Sequence, residues 1–142
     1  MNAQKFTQKS LEAIQSAQSI ALSHQNQQIE QVHLLAALLQ QEGGLIPQLL
    51  KKMGLTVESL DAAVNAEIDK LPAVTGSGRE ADKYYIARAV DTALNGAETL
   101  AESMKDDFVS VEHLFLALID HADPTLQRLF QTYQIKKEAV LQ

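Results

Sequence analysis

The sequence predicts an all-α fold made of two tandem four-helix repeats packed about an approximate two-fold axis. Three observations carry this reading. Apolar residues recur at helical spacing along most of the chain. No segment alternates apolar and polar residues with period two between turn signals, so no sheet is expected. The second half also restates the first at a fixed offset, the mark of a duplicated unit. With 142 residues, 46% apolar and 21% charged, the composition suits one globular domain with a real core.

The elements follow in order. Thr7 is placed to cap the first helix, because its hydroxyl can accept an orphan amide of the first turn. Phe6 and Leu11 then stand at hydrophobic-staple positions. Leu11, Ile14, Ala17, Ala21 and Leu22 form the stripe of that helix, and the almost wholly apolar run from Val32 to Leu39 predicts a buried central helix. Gly43 and Gly44 stop it. Ile46, Leu49, Leu50 and Met53 make a third stripe that Gly54 ends, and Val57, Leu60, Val64, Ile68 and Leu71 make a fourth. A connector rich in glycine and serine follows. The order then returns with Ile86, Val90, Leu94, Ala97, Ala101 and Met104, with Val111, Leu114, Phe115 and Leu118, and with Leu126, Leu129, Phe130 and Tyr133. An offset of 80 aligns Phe6 to Ala62 with Ile86 to Gln142 without a gap. Identical pairs include Ala17/Ala97, His33/His113, Leu38/Leu118 and Leu49/Leu129. The expected organisation is one domain over residues 1–142, with repeat one at 6–71, a connector at 72–82 and repeat two at 83–142. The partner of residues 63–71 is missing from repeat two, so a piece of a longer protein is expected.

Composition excludes several functions. The formal charge of −6 argues against a surface for nucleic-acid phosphates. The absence of cysteine removes disulfides, thiol catalysis and cysteine-ligated zinc. No run approaches the ~18 apolar residues of a membrane span, and Met1 to Phe6 hold no apolar signal core. A cytoplasmic domain without membrane contact is the expectation. There is no Gly-x-x-x-x-Gly-Lys-[Ser/Thr] run to cradle nucleotide phosphates, and Gly76-Ser77-Gly78 has no preceding strand to make a nucleophile elbow. Glu30 and His33 have the Glu-x-x-His spacing of di-iron bundles, but the repeat offers Ser110 and His113, which leaves half of such a ligand set absent. No catalytic residue, metal or cofactor is therefore expected in this stretch.

Two copies of a four-helix unit, each with a central helix entered by Ile29-Glu30-Gln31-Val32-His33-Leu34-Leu35 or Val109-Ser110-Val111-Glu112-His113-Leu114-Phe115, resemble the Clp N-terminal repeat domain over essentially the whole chain. The stretches Asn26–Glu30 and Leu71–Gly76 are most similar to the ClpB-type disaggregases. That resemblance implies a client-engaging module in front of two ATPase modules of the same chain. The parent is then a homohexamer using ATP and magnesium, with unfolded or aggregated proteins as clients and a possible cochaperone. It also implies a polar cluster at Thr7, Asp106 and Glu112 and an apolar groove near Leu94, Leu100, Phe108, Val109 and Phe115. Gly96 and His113 depart from the leucines that better-known ClpB-type sequences carry there. The alternative within the family is adaptor docking, as in the ClpA and ClpC protease partners. A metal-dependent helical protein built on Glu30 and His33 is the reading from a different class.

Each site residue also has a structural role to fill. Thr7 is a helix cap, Glu112 and Ser110 suit a helix start, Asp106 sits in a polar turn, and leucines at helical spacing usually face a core.

Overall fold

The computed structural model describes residues 2–74 and 85–141, and the remainder of the connector lies outside them together with the first residues assigned to repeat two. Eight α-helices are present among the described residues: α1 Gln8–Ser23, α2 Gln31–Gln40, α3 Leu45–Lys52, α4 Val57–Asp69, α5 Arg88–Ser103, α6 Val111–Asp120, α7 Pro124–Thr132 and α8 Lys137–Val140. Their starts obey the offset of 80 at α1/α5, α2/α6 and α4/α8. The helices α2 and α6 touch each other at the centre, with α1 laid along α2 and α5 along α6. Every residue from Val32 to Leu39 is buried, as are Leu114 to Leu118, so the two central helices form the centre of the core.

One sequence expectation is corrected here. A small parallel sheet exists, β1 Gln28–Ile29 paired with β2 Tyr85–Ile86. Its two-residue strands are too short to show an alternation, and they pair only because the packed repeats bring them together. The symmetry accounts for it. Ile29 faces Ile86, and Phe6 forms an isolated parallel bridge with Val109, which is the same pair of places with the repeats exchanged. The flanking bonds match too: Ala87 N–H donates to the Ile29 carbonyl and Thr7 N–H to the Val109 carbonyl, both at 3.0 Å. Each repeat thus sends its entry strand onto the loop before the other repeat's central helix.

The stripes are shifted where helices approach closely. In α1 the buried face is Ser10, Ala13, Ala17 and Ala21, while Leu11, Ile14 and Leu22 flank it half-buried. Small side chains let α1 lie close on α2, and the larger ones wedge the edges. In repeat two, Ile86 and Met104 leave the predicted stripe and stand exposed.

Four helix ends close in the same way. The amides of Asn26, Leu55, Asp106 and Ile135 reach back to the carbonyls of Ala21, Leu50, Ala101 and Phe130 at 2.8–3.0 Å. The preceding residues Gln25, Gly54, Lys105 and Gln134 take positive φ of 57°, 87°, 60° and 55°. These are Schellman caps, which place a left-handed residue just past the helix.

Candidate functional site

The α5–α6 loop holds Asp106, one of the three sequence-predicted polar residues, and Glu112 follows in the first turn of α6. Lys105 turns the chain out of α5, and Asp106 follows with its side chain 48% exposed. Its Oδ2 lies 2.8 Å from Nε2 of buried His113. The other ring nitrogen, Nδ1, accepts the Ser110 N–H at 2.9 Å, so Nε2 carries the proton and donates to Asp106. The His113 N–H in turn donates to the Ser110 hydroxyl at 3.5 Å, completing the capping box of α6. The histidine that replaces the expected leucine is therefore a strut between the helix start and the acid in the loop.

Thr7 caps α1 by accepting the Ser10 N–H at 3.1 Å, and the Ser10 hydroxyl donates to the Val109 carbonyl at 2.9 Å. Its backbone is bonded to Val109, so Thr7 sits against the entry to α6. Glu112 is half-buried in the first turn of α6, where its charge favours the helix N-terminus. The fold thus brings Thr7 and α6 together, with Asp106 held from the other side by His113. No hydrogen bond joins the three side chains to one another among the described residues.

The predicted groove is corrected. Leu94, Val109 and Phe115 are 3%, 2% and 0% exposed, so they hold the core and present nothing to a partner. Phe115 packs edge-on against Phe130 with ring centroids 6.2 Å apart. Helical spacing alone cannot separate a groove wall from a core face, and here the core face won. Phe108 is 55% exposed and Met104 42%, which leaves two large apolar side chains open on either side of Asp106. Leu100 is half-buried and lines a shallow cleft of about 450 Å³ with Thr92, Asn95, Gly96, Thr99 and His121. Most of the residues lining that cleft carry polar groups, although its exposed surface is largely apolar. A Cβ built on Gly96 would lie 2.6 Å from the His121 ring, so the ring takes the space of the expected leucine.

One buried residue was not anticipated. Gln31 is fully buried at the start of α2; its amide donates to the Ala89 and His121 carbonyls and its oxygen accepts the Asp123 N–H, all at 2.8 Å. It fixes the α6–α7 turn, and His121 with it, to the opposite repeat. A glutamine opening an apolar helix, opposite Val111 in the other repeat, was the available signal.

Glu30 and His33 do not form half a metal site. His33 Nδ1 accepts the Glu30 N–H at 2.8 Å and Nε2 donates to Asn26 Oδ1 at 2.8 Å, so neither nitrogen offers a lone pair. Burial, with the nearby His24 charge adding to it, lowers the His33 pKa to about 4. No helix of the described residues is long and apolar enough to cross a membrane.

The comparisons with known proteins agree with this architecture. Residues 5–133 match the model of the Clp repeat (R) N-terminal domain. The chain belongs to that family. Over all 142 residues it is 42% identical to the chaperone protein ClpB of Bacillus anthracis, and it is 36% identical to ClpB of Nitratidesulfovibrio vulgaris over 99% of its length. It spans about one sixth of these relatives, 16% of each. The Hsp104 N-terminal domain from Candida albicans superposes with a TM-score of 0.81 at 21% identity, covering 96% of this chain and 86% of that one. A ClpV N-domain solved in complex with a VipB peptide gives a TM-score of 0.70 at 22% identity, over 94% of this chain and 81% of that one. Within that family it is similar to part of the ClpB chaperones and shares the helical fold of Clp N-domains.

Proposed function

We propose that this chain is the client-binding N-terminal domain of a ClpB-type ATP-dependent disaggregase and catches exposed apolar segments of unfolded or aggregated proteins. The observation that carries the reading is the α5–α6 loop, where two exposed large apolar side chains, Met104 and Phe108, flank Asp106 in sequence. Exposed apolar groups rimmed by polar residues commonly mark interaction sites. The ClpB relatives support the class of parent machine, and the ClpV complex supports peptide binding by this fold. Two isolated anchors give weak capture and fast release, which suits transfer to an ATPase ring better than a tight trap would. Catalysis belongs to the remainder of the parent, where ATP and magnesium would act, in a cytoplasmic homohexamer.

The test is an amide-resolved NMR titration of the chain with a permanently unfolded, carboxymethylated protein. Shifts clustered between Met104 and Glu112 are expected, and a flat response at millimolar client would overturn the reading. Glu112→Ala should leave the melting curve nearly unchanged yet slow aggregate processing by the full machine; a melt as low as that of a core variant would reassign Glu112 to stability. A stoichiometric folded adaptor recovered on the same surface would favour the adaptor-docking alternative.

A further inference from the structure

Two distant segments meet on the α1–α2 loop of repeat one. From one side Val74 N–H donates to the Gln25 carbonyl at 2.7 Å, and Ala73 bridges Asn26. From the other, Tyr85–Ile86 pairs with Gln28–Ile29, and Ala87 N–H donates to the Ile29 carbonyl at 3.0 Å. His33, fully buried, joins these pieces. Its Nε2 donates to Asn26 Oδ1 at 2.8 Å, and the Asn26 amide in turn reaches the Pro72 carbonyl at 3.3 Å. Its Nδ1 accepts the Glu30 N–H at 2.8 Å, which fixes the start of α2 directly after β1. One neutral imidazole thus ties together the loop, the chain leaving α4 and the head of the central helix.

A second proton has no place on that ring. On Nδ1 it would point at the Glu30 N–H, donor against donor, and would leave a buried charge without a bonded carboxylate. The groups around the ring give little relief. Glu30 on its own helix has Oε2 engaged by Gln28 Nε2 at 2.6 Å, and Asp69 at the end of α4 faces His24 at 3.7 Å. Burial first, and the His24 charge at the end of α1 second, hold the His33 pKa down at about 4. His113 differs at both nitrogens. Asp106 places a carboxylate 2.8 Å from Nε2, and the Ser110 hydroxyl, 3.1 Å from Nδ1, can accept a hydrogen bond there.

We propose that His33 is a proton-operated latch: acid opens the α1–α2 corner, releasing Pro72–Val74 and β2 together, while the pseudo-equivalent corner around His113 stays closed. The latch is independent of the client-binding reading. Opening uncovers Ile29 and Ala87, both buried in the closed form, so apolar surface of repeat one comes under control of the proton. The direction follows from linkage. In the open corner His33 regains its ordinary pKa of 6.5, above the closed value, so the open form takes up the proton first. Opening is therefore favoured progressively as the pH falls from 6.5 towards about 4.

The test is native-state hydrogen exchange of the whole chain across pH, each rate corrected for the intrinsic pH dependence of amide exchange. Glu30, Val74 and Ala87 report the repeat-one corner; Ser110 and Thr7 hold the places of Glu30 and Ala87 in repeat two. Between pH ~7.5 and pH ~5 the protection of the first three should fall roughly 10- to 30-fold, and that of Ser110 and Thr7 less than about threefold. Exchanging the partners should exchange the behaviour. Asn26→Asp, which gives His33 the carboxylate that His113 has, should reduce the fall at Glu30 to that of Ser110. Asp106→Asn should raise the fall at Ser110 to that of Glu30, and it carries the test if Asn26→Asp does not fold. Equal falls at the two corners, or partner exchanges that leave both falls unchanged, overturn the latch. So does a protection at Glu30 equal to that at Leu38 throughout, since the domain would then open only as a whole.

Discussion

The repeats share a packing scheme and differ in their polar fittings. Both central helices are buried along most of their length, both carry in the first turn a histidine whose Nδ1 accepts the cap residue's N–H, and both receive the other repeat's entry strand. Repeat one, however, fastens itself across the interface with Gln31, where repeat two has Val111, and its own chain covers the α1–α2 loop. Repeat two replaces Asn26 with Asp106 and exposes Met104 and Phe108. The difference teaches how a duplicated fold can keep its packing while its polar side chains diverge: one copy joins the halves with a glutamine, and the other sets an acid against its central histidine.

Four measurements would break or sharpen that contrast. The largest effect belongs to the shared core. Leu38→Ala and Leu118→Ala should each cost ~2–5 kcal/mol of unfolding free energy in urea, because both side chains are fully buried. If one variant loosened only its own half in hydrogen exchange, the repeats would be separate cooperative units. Next comes the cross-repeat fastening. Gln31→Val, which copies repeat two, strands the Asp123 N–H and two carbonyls and should cost about 1–3 kcal/mol. An unchanged midpoint would show that the three bonds are replaced by water.

The third measurement is acid sensitivity. His33 has a folded pKa of about 4, below the ordinary 6.5, so the unfolded chain takes up the proton first. Its contribution is complete above pH ~6.5 and is lost progressively as the pH falls towards about 4. His33→Gln should flatten that part of a urea-midpoint profile against pH, and an unaltered slope would exclude His33 as its source. The smallest effect concerns the caps. Gln134 holds in repeat two the left-handed position that Gly54 holds in repeat one. Gln134→Gly should stabilise by ~0.5–1 kcal/mol and Gly54→Ala should destabilise by ~1 kcal/mol. Thermal melts of the two variants check this, and shifts of the same sign would break the equivalence.

Much of the fold was legible in the residues. Thr7 and Ser110 were identified as caps from their types and places, the central helices from runs with no polar face, and the duplication from identities that fall on buried positions. The site was less legible. Phe108 was expected on a groove wall and is exposed, but Leu94, Val109 and Phe115 were expected beside it and are core. A periodic apolar stripe states that a side chain will be covered without stating by what. Gln31 and the His121 ring over Gly96 escaped for a related reason. Their partners lie 58 to 92 residues away for Gln31 and 25 away for the Gly96–His121 contact, and such distances carry no local signature.

What the sequence determined by itself was the repeating unit: helix spacing, caps and breakers act over a few residues, and the offset of 80 repeats them. Only the tertiary structure decided which apolar residues remain in solvent, how a pair of two-residue strands could form, and which acid a buried histidine would grip. Those outcomes depend on bringing the two halves together in space. Hydrogen bonds and burial across that junction are settled by distances between segments that local preferences do not encode.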